Sequence, residues 1–191
     1  MNISINLTWK KFVGVCVISC FIFSGCATMK PITSEALTPS NLSVSTNFND
    51  TVTVVVENGR EFNPMNLPKL SNEALAAAVT NAIIESKLFS EILPSGGRYA
   101  LKLYVVNVSQ PYAGRNMTAG VEIAWILKDM KAGTVVWKES IQTEKTLTQE
   151  QEHIAIKRLR RATELAAKEN IKMGVEKISN LQLFLIPHHI T

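Results

Sequence analysis

Two stretches of alternating side chains, residues 117–128 and 134–146, flank the five residues Asp129-Met130-Lys131-Ala132-Gly133. Alternation places successive side chains on opposite faces of a strand, and a short loop ending in glycine allows the positive φ that closes a hairpin. The pattern predicts an antiparallel pair with Ala119, Val121, Ile123, Trp125 and Leu127 on one face. An odd loop puts Val135, Trp137 and Ile141 on the same face and sets Trp125 opposite or diagonal to Trp137. Such a contact is worth about 0.2–1 kcal/mol beyond an alanine pair. The two tryptophans therefore read as core, with ligand stacking as the alternative.

The rest of the pattern is consistent with a small α+β domain. Residues 51–57 (TVTVVVE) form a β-branched strand, and Asn58-Gly59 ends it before a loop with Pro64 and Pro68. Asn72 can cap a helix reaching about Leu88, with Leu75, Val79, Ala82 and Ile83 on one face. A third alternating run covers residues 99–109, followed by a loop, residues 110–116, with Pro111 and Gly114. Thr148 and Gln151 match a capping box that would open a helix from Gln149 to about Ser179, with a bend or early end possible at Gly174. The expected order is β-α-β-β-β-α: an antiparallel-rich sheet of about four strands with two helices packed on one face. The polar residues 27–50, broken by Pro31 and Pro39, read as a flexible tether. The apolar tail Leu181–Ile186 (LQLFLI), within the C-terminal residues 181–191, reads as packed against the body.

The apolar fraction of 46% is unevenly spread. Residues 12–23 (FVGVCVISCFIF) are nearly all hydrophobic, follow Lys10 and Lys11, and precede the first acidic residue, Glu35. A cationic start, a short apolar run and small residues at its end describe an export signal, residues 1–25. A spanning helix needs about 20 apolar residues. A buried amino-terminal helix is the alternative. The run closes on Phe23-Ser24-Gly25-Cys26-Ala27, which resembles the lipobox of bacterial lipoproteins, although Phe23 stands where that family usually has leucine. The resemblance implies cleavage before Cys26, a thioether-linked diacylglycerol on its sulfur and an acyl chain, such as palmitate, on its new amine. The alternative is ordinary signal cleavage after Ala27. Three acyl chains exceed the two signals that stable anchoring takes. By analogy with bacterial sorting, Ala27 rather than aspartate after the cysteine implies the outer membrane, with the body, residues 51–180, facing the periplasm. That covalent lipid is the one prosthetic group implied, and no cofactor is expected.

Cys16 and Cys20 lie in the apolar run, so the expected mature chain has no free thiol. Without Lys10 and Lys11 it carries 18 basic and 16 acidic side chains, a net charge of +2 that is no nucleic-acid footprint. Element order over residues 51–179, with the Asp129…Gly133…Trp137 hairpin, resembles small periplasmic lipoproteins of the YajG type and, more loosely, the amino-terminal domain of TolB.

Catalytic patterns are sparse. The histidines are His153, in EQEHI rather than H-E-x-x-H, and the adjacent His188-His189 pair; the aspartates are Asp50 and Asp129. The chain is therefore expected not to be an enzyme and to hold no catalytic or metal site. Two binding features stand out. Lys157, Arg161, Lys168 and Lys172 can share one helical face suited to lipid phosphates, lipopolysaccharide or an acidic partner. The alternative is a solvated face neutralised by Glu164, Glu169 and Glu176. The second is the sheet face away from the helices, expected to carry Lys102, Tyr104, Val106, Val108, Glu122, Ala124, Ile126, Val136 and Lys138. Its apolar character suits a partner or dimer interface, unless the tail covers it. Tyr112 and Arg115 in the neighbouring loop are further candidates. The expectation is a lipid-anchored, non-catalytic lipoprotein whose domain binds another envelope component or a second copy of itself. The alternatives are a glycan- or lipid-binding module and, less favoured, an envelope hydrolase.

Overall fold

A computed structural model describes residues 31–57 and 70–182. The export signal, Cys26, the Asn58-Gly59 turn with its proline loop, and His188-His189 lie outside the described residues. The elements are α1 (Ser34–Leu37), β1 (Phe48–Glu57), α2 (Asn72–Ser86), β2 (Phe89–Ile92), β3 (Tyr99–Ser109), β4 (Met117–Asp129), β5 (Thr134–Leu147) and α3 (Ala155–Ser179).

The sheet has five strands in the order β2-β1-β3-β4-β5. β1 runs parallel to both β2 and β3, while β3–β4 and β4–β5 are antiparallel. The fold is α+β as expected, but the sheet is mixed, has a fifth strand and comes with a third, short helix. The unexpected strand is β2, only four residues long (FSEI). A parallel neighbour needs a crossover, and α2 supplies it between β1 and β2. Ser71, not Asn72, caps that helix by accepting the Ala74 N–H at 3.1 Å. Lys87 in the left-handed region (φ 53°) ends it, its N–H reaching the carbonyls of Ile83 and Ile84. Phe48 and Phe89 then pack at 5.4 Å between ring centroids, joining β1 to β2.

The hairpin forms as the alternation requires. Asp129 ends β4, Thr134 starts β5, and Gly133 takes φ 71°. Asp129 is buried; its Oδ1 accepts the Ala132 N–H at 2.8 Å and pairs with the Arg98 guanidinium. Ala119, Val121, Ile123, Trp125 and Leu127 are all buried. Trp137 opposes Leu127, so it stands diagonal to Trp125. A bulge between Lys128 and Leu127 changes the parity of β5, so Val135 faces outward at 56% exposure and Val136 packs on the core instead.

α3 lies over β4 and β5 and is 25 residues long. It starts at Ala155, not Gln149. Gln151 accepts the Thr148 N–H at 2.9 Å, but that half of a capping box closes a separate turn, and extended Ile154 (φ −85°, ψ 113°) interrupts the backbone before the helix. The helix does not bend or end at Gly174. A Cβ there would come within 2.6 Å of Trp125 Cη2, so the glycine is what lets the helix sit against the indole. Behind it Trp125 Nε1 donates to Asn170 Oδ1 at 3.0 Å, and Asn170 Nδ2 donates to the Ile141 carbonyl at 2.7 Å. These bonds satisfy a buried amide and fix the register of helix on sheet.

The expected tether is corrected from Pro31 onward. Ile32 and Leu37 are buried in the main core, and Leu42 and Val44 pack against it. Ser43 N–H donates to Glu176 Oε1 at 3.0 Å and Ser45 Oγ to the Ser179 carbonyl at 3.0 Å, tying this segment to the end of α3. The strand it leads into begins at Phe48 rather than Thr51. Burying one leucine stabilises by about 1.5–3 kcal/mol, enough to hold a four-residue helix that could not form alone.

Candidate functional site

The helices α2 and α3 contact the sheet, and the residues pointing the other way form one face. Registers locate its centre: Glu57 pairs Tyr104, Tyr104 pairs Ala124 and Ala124 pairs Ser140; the next row is Val55, Lys102, Ile126 and Lys138. Tyr104, Ile126 and Ala124 are half-buried there, framed by the longer polar side chains.

Val106 needs a different account. The β3–β4 register shifts between Val105 and Asn107, so Val106 is the extra residue of a bulge and is 50% exposed. Beyond it Asn107 opposes Glu122 on the outer face, while Val108 opposes Val121 and packs on the core. Val108 and Val136, expected outward, are therefore inward. One inserted residue exchanges the two faces of everything after it.

Three polar groups lock the centre of the outer face. Lys102 Nζ donates to Glu57 Oε1 at 2.6 Å and Tyr104 Oη to Glu57 Oε2 at 2.7 Å. The Lys102 and Tyr104 hydrogen bonds hold the Glu57 carboxyl below its ordinary range. The same carboxylate raises the Lys102 ammonium and the Tyr104 phenol above theirs. Glu122 Oε1 accepts from Ser140 Oγ at 2.7 Å beside them. The arrangement presents an aromatic ring in a fixed orientation with an ordered ion pair. The sequence pointed to Tyr104 and Lys102, but not to Glu57, whose partnership depends on the parallel β1–β3 pairing.

The other candidates lie elsewhere. Tyr112 is 67% exposed in the β3–β4 loop, and Arg115 lies 3.8 Å from Glu150 with both side chains largely in solvent. On α3, Lys172 faces Glu176 at 4.0 Å, and Arg160 Nε meets Glu164 Oε1 at 2.7 Å. Among the described residues, no carboxylate lies within salt-bridge distance of Lys157, Arg161 or Lys168. The structure thus separates Tyr104, Val106 and Ile126 on the sheet from Lys157, Arg161, Lys168 and Lys172 on the helix.

Arg158 departs from its basic neighbours. It is 3% exposed and reaches the carbonyls of Glu152 and Gly114, the latter at 3.1 Å, clamping the turn before α3 to the β3–β4 loop. Nothing in the run KRLRR itself singles out the buried arginine; only its place beside Leu159 on the inward side of α3 distinguishes it.

His153 is exposed in the turn before α3. Among the described residues, no three His, Cys, Asp or Glu side chains come together to hold a metal ion, and no helix is long and apolar enough to cross a membrane. A groove lined by Phe48, Ile84, Lys87, Phe89 and Glu91 lies at the β2 edge, away from the outer-face centre.

No family model matches the chain, and no curated protein matches it in sequence. Among solved structures, a DUF330-family protein from Xanthomonas campestris aligns over 77% of this chain and 91% of its own, at TM-score 0.55 and 14% identity. A hypothetical protein from Chlamydia trachomatis aligns over 69% and 96%, at TM-score 0.53 and 8% identity. A minor lipoprotein from Acinetobacter baumannii aligns over 70% and 92% at TM-score 0.46 and 7% identity. What the chain shares with the first two is a bacterial α+β fold.

Proposed function

We propose that this chain is a lipoprotein, anchored to the outer membrane through Cys26 and facing the periplasm, whose domain binds another protein of the cell envelope without catalysing a reaction. The lipobox-like Phe23-Ser24-Gly25-Cys26-Ala27 supports the anchor. The outer sheet face carries the binding reading: its centre sets Tyr104, Ala124 and Ile126 among Lys102, Glu57 and Lys138. Apolar groups rimmed by polar ones are the anatomy of a protein interface, and a tyrosine held by a carboxylate loses little freedom on binding.

The test is photocrosslinking in cells. A photoreactive phenylalanine analogue replaces Tyr104 or Ile126, with Lys131 in the hairpin loop as the control position. The reading expects one discrete adduct from positions 104 and 126 and none from 131. Adducts of two copies of the chain would assign the face to self-association. Absence of any specific adduct from both face positions would overturn the binding role.

A further inference from the structure

We propose that the first half of α3 docks on the bilayer that holds the anchor, with Lys157, Arg161 and Lys168 against anionic lipid headgroups. The inference rests on the reading of Cys26 as lipidated.

The place where the chain leaves the body fixes the geometry. The Pro31 carbonyl accepts from Arg160 Nη2 at 2.9 Å, and Ile32 is buried next to it in sequence. The chain therefore departs beside the second turn of α3, not from a long free tether. Five residues separate Cys26 from Pro31, a reach of at most about 18 Å when fully extended. A lipid on Cys26 thus holds the bilayer surface within that distance of Arg160, and the amino-terminal half of α3 is the long element at that exit.

The charge there is of one sign. At 3.6 residues per turn, positions 157, 161 and 168 fall within about 40° of one another, along roughly 17 Å of helix. Lys157 and Arg161 are exposed and Lys168 is half-exposed. The acids around them are engaged: Glu164 with Arg160, Glu169 with Lys145 at 3.7 Å, and Glu176 with Lys172. α1, which packs against α3, adds one exposed acid, Glu35. The stripe keeps a surplus of positive charge. Ile154, 50% exposed at the start of the helix, adds an apolar group suited to the headgroup boundary. Each lysine or arginine near an anionic surface gains roughly fivefold in binding, and the gain falls off within about 8 Å at physiological salt. A tether of that length lets the stripe come within that range of the surface. Docking would also turn the sheet face away from the membrane, since α3 covers the opposite side of the sheet.

The test footprints the lysines of the purified, lipidated full chain. The protein is reconstituted in vesicles of phosphatidylcholine, alone or mixed with phosphatidylglycerol, and acetylated briefly; rates at each lysine are read by mass spectrometry. The proposal expects Lys157 and Lys168 to react at least about fivefold more slowly in the mixed vesicles at low salt, with the difference lost at high salt. Lys87 and Lys131, away from the stripe, should react equally in both. Replacing the three cations together (K157E, R161E and K168E) should abolish vesicle-dependent protection at other α3 positions, read by amide hydrogen exchange. Equal rates in both vesicles, for a chain that floats with them, would overturn docking while leaving the anchor intact. A chain that floats with neither vesicle would overturn the anchor itself, and the docking with it. Protection confined to intact cell envelopes would assign the stripe to an acidic protein and also overturn the proposal.

Discussion

Replacing Gly174 with alanine sets two opposed effects against each other, and the structure decides between them. In an unobstructed helix interior the change stabilises by about 1 kcal/mol, because alanine restricts the unfolded chain and glycine does not. At this site the new Cβ would lie within 2.6 Å of Trp125 Cη2 and as close to two other indole carbons. Carbon atoms pack at about 3.5–4.0 Å, so the ring or the helix must move by about 1 Å. Trp125 is fully buried and tied through Nε1 to Asn170, so it has little room to yield. Overpacking costs about 1–3 kcal/mol, and a weakened hydrogen bond about 1 kcal/mol more. The balance predicts a net destabilisation of about 1–3 kcal/mol for G174A. In a W125F background the obstructing second ring is gone, and the same substitution should become neutral or stabilising. Urea unfolding of the four proteins, followed by far-ultraviolet circular dichroism, measures the coupling. A G174A protein more stable than the parent, or equal effects in both backgrounds, would refute the packing account.

Three further outcomes follow from other parts of the molecule. L37A should cost about 2–5 kcal/mol in the same urea assay, because Leu37, the last residue of α1, is fully buried in the core; a change below about 0.5 kcal/mol would return this segment to a free tether. N170L should cost roughly 2–4 kcal/mol, since Trp125 Nε1 and the Ile141 carbonyl both lose a buried partner; a neutral effect would contradict the network. Glu57 gives a pH signature: its folded pKa lies below its ordinary 4.5, so its contribution is present above that value and is lost as pH falls through the depressed one. Y104F or K102M should raise the Glu57 carboxyl midpoint, followed by carbon-13 NMR, and an unchanged midpoint would show that the three groups do not interact.

Local pattern made the hairpin legible, because alternation, loop length and Gly133 all act within thirty residues. The inward row from Ala119 to Leu127 followed from the same signal, and so did Tyr104 and Ile126 on the outer face. The errors have three physical sources. A four-residue strand with Ser90 and Glu91 exposed carries too little period to be seen, and its parallel pairing comes from the α2 crossover. Bulges at Val106 and Val136 leave no mark in composition, yet each exchanges the faces beyond it. Residues 31–47 are polar on average, and the few apolar side chains that bind them to the core, such as Ile32 and Leu37, have no repeat to reveal them. The helix candidates were legible as charge but not as pairing: which cations are neutralised depends on carboxylates from other elements, as with Lys177 and Glu139 at 2.7 Å.

The central claim is that Cys26 anchors a binding domain to the membrane, and metabolic labelling with radioactive palmitate tests it most directly. The account predicts that the wild-type chain takes up label and sediments with membranes, and that C26S takes up none and is released. A C26S chain that is labelled as strongly as the parent, or a wild-type chain that is not labelled at all, would contradict it.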